Sequence, residues 1–295
     1  MDNLRTKKYW IWLSLIKDLG SLKTQKLLEI YKTPENIYKL TKKELMQVKE
    51  IGEKLSENII KSKNEKLLEY HIEYMIKNNI DIINIFDVDY PQILKNIYDP
   101  PISLYIKGNR KILNEKNIAI VGCRDYSDYG KKAAKYFSYN LAKHGINIVS
   151  GLAKGIDSFA HIGTICVEKN IKNIGKTIAV IGNGLDSIYP KENIELAYKI
   201  IENGGAIVSE YPCGTKPEKM NFPARNRIIS GLSSKIIVIE AKEKSGTLIT
   251  VDFALEQGRD VYVVPGNINS INSVGTNELI KQGAQLITNY NEVLW

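Results

Sequence analysis

The stretch from Ile118 to Asp157, IAIVGCRDYSDYGKKAAKYFSYNLAKHGINIVSGLAKGID, decides the fold. It opens on an apolar, β-rich run, residues 118–121, that stops at Gly122. Residues 129–144 then place apolar side chains at helical spacing, with Gly145 behind them where a helix ends. A second apolar run, residues 146–149, stops at Ser150-Gly151. The alternation continues outward from there. Apolar runs fall at residues 177–181, 206–208, 235–240 and 261–264, and 285–288 offers one more. Helical patterns fall between them at residues 156–169, 194–202, 223–232 and 247–257. Near-continuous apolar strands that alternate with helices predict a parallel sheet covered on both faces. The fold class is therefore α/β, with a doubly wound, mostly parallel, Rossmann-like sheet.

The whole chain has 295 residues, which at roughly 150 residues per domain suggests two domains. Hydrophobic residues make up 43% and charged residues 25%, the balance of a globular protein and not of a disordered tail. No apolar run reaches the ~18 residues that cross a membrane, and the start, MDNLRTKK, does not read as a signal peptide. Cys123, Cys166 and Cys213 are odd in number and far apart. That excludes a disulfide framework and a CxxC zinc site, and the expected compartment is a reducing cytoplasm.

The formal charge is +8, with 41 Lys and Arg against 33 Asp and Glu. A basic excess suits a polyanion but does not establish one. It is also unevenly placed: residues 1–66 carry 15 basic and 9 acidic side chains, a net of +6, against +2 for the rest. The first part reads as short helices, among them residues 9–19 closed by Gly20 as a C′ residue. Leu19-Gly20 is followed by Leu27-Leu28, and Ile51-Gly52 by Ile59-Ile60 at the same offsets. Each unit is an apolar residue, a glycine and a basic amphipathic helix. The pair resembles a helix-hairpin-helix or SAM-like module, whose helix N-termini can face a phosphate backbone. A small helical bundle with glycine turns is the alternative. Residues 67–77 continue as a helix and 80–86 as a strand, and Pro91, Pro100 and Pro101 make turns before residues 104–108. The expected division is an all-α domain at 1–66 and an extended Rossmann-like domain at 67–295.

In such sheets ligands bind beyond the carboxyl ends of the strands. The residues there are Gly122-Cys123-Arg124, Ser150-Gly151, Gly182-Asn183-Gly184, Ser209-Glu210, Glu240-Ala241 and Pro265-Gly266. Small residues at so many ends let a ligand approach backbone amides and helix N-termini. GxGxxG is absent after the first strand, and Gly175-Lys176-Thr177 precedes a strand where a P-loop would follow one. No GxSxG elbow occurs, and His71, His144 and His161 form no ligand cluster. Asp157 and His161 lie four apart on one helix face. They read better as a helix-start carboxylate and a packed imidazole than as metal ligands. The sequence therefore predicts no catalytic residue, no metal site and no cofactor.

What remains is cationic and aromatic. Arg124 follows the first strand, Lys154 lies in the loop after Ser150 and Gly151, and Lys191 follows Tyr189-Pro190. Lys219, Phe222, Arg225 and Arg227 cluster around a helix start at Pro223. Guanidinium forks beside free helix amides suit phosphate oxygens, and Phe222 could stack on a base. The alternatives are Phe222 as a core residue and an arginine paired with Asp or Glu inside the protein.

These strand-end segments, in order over roughly residues 90–285, resemble the DNA-processing protein A family (DprA, also called Smf). The matching stretches are YPQILKNIYDPP at 90–101, IAIVGCR at 118–124, SGLAKGID at 150–157 and GNGLD at 182–186 with Tyr189-Pro190. They continue with SEYP at 209–212, FPARNRIISGLS at 222–233, SGTLIT at 245–250, ALEQGR at 254–259 and VPG at 264–266. The resemblance implies a non-enzymatic, single-stranded DNA-binding protein of natural transformation that protects incoming DNA and helps load a RecA-type recombinase. It implies a homodimer too, with its surface around residues 248–257 and the segment after them. By position, Arg124, Lys191, Lys219 and Phe222 correspond to the family's DNA pocket, lined by Gly122, Ser150 and Gly151. Cys123 departs from the Ser or Thr usual there, and the connection 169–176 looks longer than usual. The chain stops at Trp295, so the expectation is that the winged-helix module some members carry is missing. The rival is an enzyme of the nucleoside-monophosphate phosphoribohydrolase type, with PGGxGTxxE. Its nearest counterpart here is residues 245–250, with Thr250 in place of the carboxylate the glycosidic bond requires. A free nucleotide or sugar-phosphate sensor on the same rim is a third option.

Overall fold

The computed structural model describes residues 2–168 and 170–294. Among these, nine strands form one sheet: β1 (Ile80–Asn84), β2 (Ser103–Gly108), β3 (Asn117–Val121), β4 (Asn147–Ser150), β5 (Thr177–Val180), β6 (Ala206–Ser209), β7 (Lys235–Val238), β8 (Asp260–Val263) and β9 (Gln285–Leu286). Their order is β1-β2-β6-β5-β4-β3-β7-β8-β9. β1 pairs antiparallel with β2, and β2 with β6, while every other pairing is parallel. The sheet thus runs outward from β3 through β6, then resumes on the other side of β3 with β7. That reversal is a topological switch point.

The helices are α1 (Asp2–Thr6), α2 (Lys8–Leu15), α3 (Ser21–Tyr31), α4 (Pro34–Lys39), α5 (Lys42–Leu45), α6 (Glu53–Lys61), α7 (Glu65–Lys77) and α8 (Gln92–Lys95) in the first third. The strand-to-strand crossovers carry α9 (Asp128–Lys143), α10 (Ile156–Ile165), α11 (Ile194–Glu202), α12 (Asn221–Gly231) and α13 (Gly246–Glu256), and α14 (Val274–Lys281) precedes β9. Period-two alternation along β3 sorts its side chains between the two faces. Ile118 and Ile120 join a core with Phe137, Leu141 and Ile156 of α9 and α10. Ala119 and Val121 join one with Ile228 and Ile229 of α12 and Val251 of α13. Both faces are covered, which is why the central strands are apolar along their middles, with polar residues only at their ends.

The helical part packs on this sheet. Trp12, Leu27, Leu55, Ile59 and Ile72 share one buried cluster with Ile82, Tyr105, Ala179 and Ile207 of the strands. Residue 66 falls in the first turn of α7, whose Leu68, Ile72 and Met75 lie in that shared core. We keep the division into 1–66 and 67–295 as a proposal about sequence organisation.

Three local readings change. The helix expected over residues 9–19 ends at Leu15, and Gly20, at φ 62°, precedes α3 instead of closing α2. The chain turns at Asp18, also at positive φ, so the apolar spacing of residues 16–19 marks packed loop side chains. The strand expected to reach Phe86 stops at Asn84, whose amide donates to Asp87 Oδ2 at 3.0 Å. The helix expected to reach 169 ends at Ile165; of the connection 169–176, Lys169 lies outside the described residues. Among the described residues no helix is long and apolar enough to cross a membrane.

Tyr105 sits at the seam, almost fully buried, with its hydroxyl against Ser14 Oγ of α2. Tyr105→Ala should cost about 3–5 kcal/mol, as other buried aromatic truncations do. Urea denaturation should show a lower midpoint at unchanged slope; an unchanged midpoint would mean the seam is not packed.

Candidate nucleic-acid interface

The carboxyl ends of β3 to β7 open on one rim, and its foundation is a buried charge. The Arg225 guanidinium, 4% exposed, donates from Nη1 to the Gly151 carbonyl at 2.6 Å and to the Val180 carbonyl. Asp157, at the start of α10, accepts the Gly151 amide at 3.1 Å and the Ala153 amide at 3.4 Å. Gly151 lies between the two charges: a Cβ there would sit 2.7 Å from Arg225 Nη2 and 2.7 Å from Asp157 Oδ2. Only hydrogen fits. Burial pushes Arg225 down to about 10 against the pull of Asp157, so it stays charged at neutral pH, and burial pushes the Asp157 carboxyl up. Gly155, at positive φ, brings the next turn against β3's loop, where a Cβ would meet Cys123 O at 2.4 Å.

Arg227, 7% exposed, is also engaged. Its guanidinium grips Glu210 with two bonds of 2.7 and 2.6 Å and donates to the Asp99 carbonyl at 2.9 Å. Ser150 is fully buried and donates to the Ile120 carbonyl at 2.7 Å. This changes the expectation for these side chains. Arg225 and Arg227 do not offer free forks at the surface, because two strand ends and Glu210 take their donors. Ser150 and Gly151 lie beneath the rim and hold it together. The helix start that bears them, α12, also begins two residues before Pro223.

The surface itself is a row of rings and cations. The half-buried Phe222 ring stands over Gly182, with Tyr189 at 5.4 Å between centroids and the Arg124 guanidinium 5.8 Å from its own centroid. That stack is a cation–π contact continued by an aromatic pair. Arg124, Lys191 and Lys219 are exposed, and among the described residues none of them has an ion pair within 4.0 Å. Lys154 is exposed but bound to Glu192 at 2.5 Å. Gly122 is half-exposed, and a Cβ there would strike Ile156, so its smallness serves helix–strand packing.

Glu240 went unremarked as a carboxylate in the sequence, where it reads only as a strand-end residue. Buried at the switch point, it accepts the Ser127 amide at 3.0 Å and the Ser127 hydroxyl, fixing the start of α9 behind Arg124. Lys242 pairs with Asp125 at 2.9 Å, and Asn272 donates to the Asp125 carbonyl at 2.7 Å. The Arg124 loop is therefore clamped from behind. Cys123 is buried, and burial raises its thiol above the usual range. At residues 245–250, Ser245 caps α13 and Thr250 is buried, with no carboxylate in that turn.

His161 is packed, not ligating. Thr177 donates its hydroxyl to the Ile148 carbonyl and so accepts from His161 Nδ1 at 2.6 Å, which leaves Nε2 unprotonated and unpartnered. No group of three or more His, Cys, Asp or Glu among the described residues could hold a metal.

Fold and rim together define a Rossmann-type domain whose candidate ligand face combines unpaired cations with a ring pair. A family model described as DNA recombination-mediator protein A matches residues 81–295. The chain belongs to that family. Protein Smf of Synechocystis is 39% identical over 290 residues, covering 97% of this chain and 71% of that protein. DNA processing protein DprA of Streptococcus pneumoniae is 46% identical over 211 residues, 72% of each chain. The X-ray structure of the S. pneumoniae protein superposes with TM-score 0.82 at 36% identity, covering 97% of this chain and 96% of that one. A Helicobacter pylori DNA processing protein A, described by its single-stranded DNA binding mode, gives TM-score 0.63 at 32% identity, covering 72% of this chain and 93% of that one.

Burial pushes His161 from 6.5 down to about 3, with Arg225 adding to the effect. Between those values the unfolded chain takes up a proton that the folded chain refuses. Stability should therefore be fully present above pH 6.5 and fall on acidification, by up to about 1.4 kcal/mol per pH unit from this group. His161→Gln should flatten the pH dependence of the denaturation midpoint over that window; parallel profiles would contradict the assignment.

Proposed function

We propose that this protein binds single-stranded DNA at the rim, without catalysis and without reading sequence, protecting the strand during natural transformation and DNA recombination. The observation that carries the reading is the Arg124–Phe222–Tyr189 row flanked by unpaired Lys191 and Lys219. Unpaired cations spaced along a rim suit a phosphodiester backbone, and exposed ring faces take any base. Arg225 and Arg227 serve this site from beneath, and Lys154 can exchange Glu192 for a phosphate. The named single-strand binding mode of the H. pylori relative supports the same assignment.

The finer parts of the reading rest on family membership. They are a cytoplasmic location, loading of a RecA-type recombinase, and a homodimer. Exposed Leu255, Ile268 and Ile271, on and after α13, are apolar side chains suited to a second copy of this chain.

Fluorescence anisotropy with a thymidine 20-mer tests the rim. Arg124→Ala and Lys219→Ala should each weaken binding and flatten the log–log salt slope by about 0.7, the loss of one phosphate contact. Phe222→Ala should weaken binding by about 1–3 kcal/mol with the slope kept. Unchanged affinity and slope in all three variants would contradict the assignment. Release of free adenine from AMP would contradict the non-enzymatic reading.

A further inference from the structure

Beside the rim lies a second concavity, a cleft of about 790 Å³ between the first helices and the loops after β5 and β6. That volume is in the range of small-ligand sites. Asn221, the chain neighbour of Phe222, is part of its lining. Tyr70, His71 and Tyr74 of α7 line it as well, as do Tyr211 and Asp186. The lining is therefore rich in flat rings.

Its charge has the opposite sign to the rim. Lys17 is matched against Asp18, Asp186 and Glu210. Glu210 is neutralised by Arg227, and Asp186 spends Oδ1 on the Gly214 amide at 2.7 Å, with no ion pair among the described residues. His71 is close enough to feel the Asp186 charge, but burial lowers its pKa, so at neutral pH it does not offset that charge. Ser103 Oγ, on the same lining, is buried and has no hydrogen-bond partner. An unpaired carboxylate, an unsatisfied hydroxyl and ring side chains suit a flat ring that carries hydrogen-bond donors better than a phosphate.

We propose that this cleft receives a nucleobase with an exocyclic amine from the bound strand, one position along from the base at Phe222. The proposal rests on the single-stranded DNA reading above. Lys191 and Lys219 hold the phosphates outside while the amine donates to Asp186, the acceptor chemistry that carboxylates offer to cytosine N4. The site thus adds a base preference to a rim that is otherwise indifferent to sequence.

The test compares two 20-mers by anisotropy, one of thymidine alone and one alternating thymidine with deoxycytidine, on the full chain. The wild type should bind the mixed strand about fivefold to tenfold more tightly, the discrimination a base-edge contact supplies. Asp186→Asn keeps the Gly214 bond and removes the charge, and Tyr70→Ala removes an exposed ring. Each should bring the two affinities within about twofold, with thymidine binding unchanged. Equal affinities in the wild type, or a preference that survives both substitutions, would overturn the cleft assignment and leave the rim intact. Saturable binding of free deoxycytidine monophosphate with no strand preference would assign the cleft to a free nucleotide, and likewise overturn it. Absence of thymidine binding in the wild type would instead remove the reading on which it rests.

Discussion

The candidate rim depends on one buried cation. Taking a guanidinium out of water costs several kcal/mol, and only good geometry returns it. Arg225 meets that condition with the carbonyls of Gly151 and Val180 and the nearby charge of Asp157. It ties α12 to the ends of β4 and β5, and Phe222, three residues earlier in the same helix, stands over Gly182. Asp157 in turn closes the loop after β4 through two backbone amides.

The architecture was legible because the signals that make it are local. Apolar runs alternating with helical periods placed β3 to β8 to within about a residue or two, and glycines 145, 204 and 258 marked helix ends where the chain turns to positive φ. The edge was harder. β2 follows the turns made by Pro91, Pro100 and Pro101 and is assigned no element from the sequence, yet it pairs antiparallel with β6 and carries β1 outward. Gly20 looked like a helix end and is a helix start, since a glycine before a basic helix suits either role.

Where the candidate side chains lie was half legible for a definite reason. Arg124, Lys191 and Lys219 have surface chemistry and lie at the surface, with the half-buried Phe222 ring beside Arg124. Arg225 and Arg227 have the same chemistry but face inward, Arg225 to the carbonyls of Gly151 and Val180 and Arg227 to Glu210, all distant in sequence. An acidic partner inside the protein was an open alternative for one arginine, and Arg227 has it in Glu210; Arg225 is held by two backbone carbonyls instead. Sequence spacing does not reveal such pairing, because it is a property of the packed sheet ends.

Net charge is a poor map of this molecule. Most of the excess lies in residues 1–66, where Lys8, Lys26, Lys39 and Lys42 are already paired with glutamates. The rim has fewer cations but leaves them unpaired beside stacked rings, and placement decides. Hydrogen–deuterium exchange with and without a thymidine 20-mer tests this most directly. The account predicts protection concentrated in residues 122–127, 182–191 and 216–223, with the starts of α3 and α6 unchanged. Protection centred on residues 20–26 and 52–58, with the rim unaffected, would contradict it.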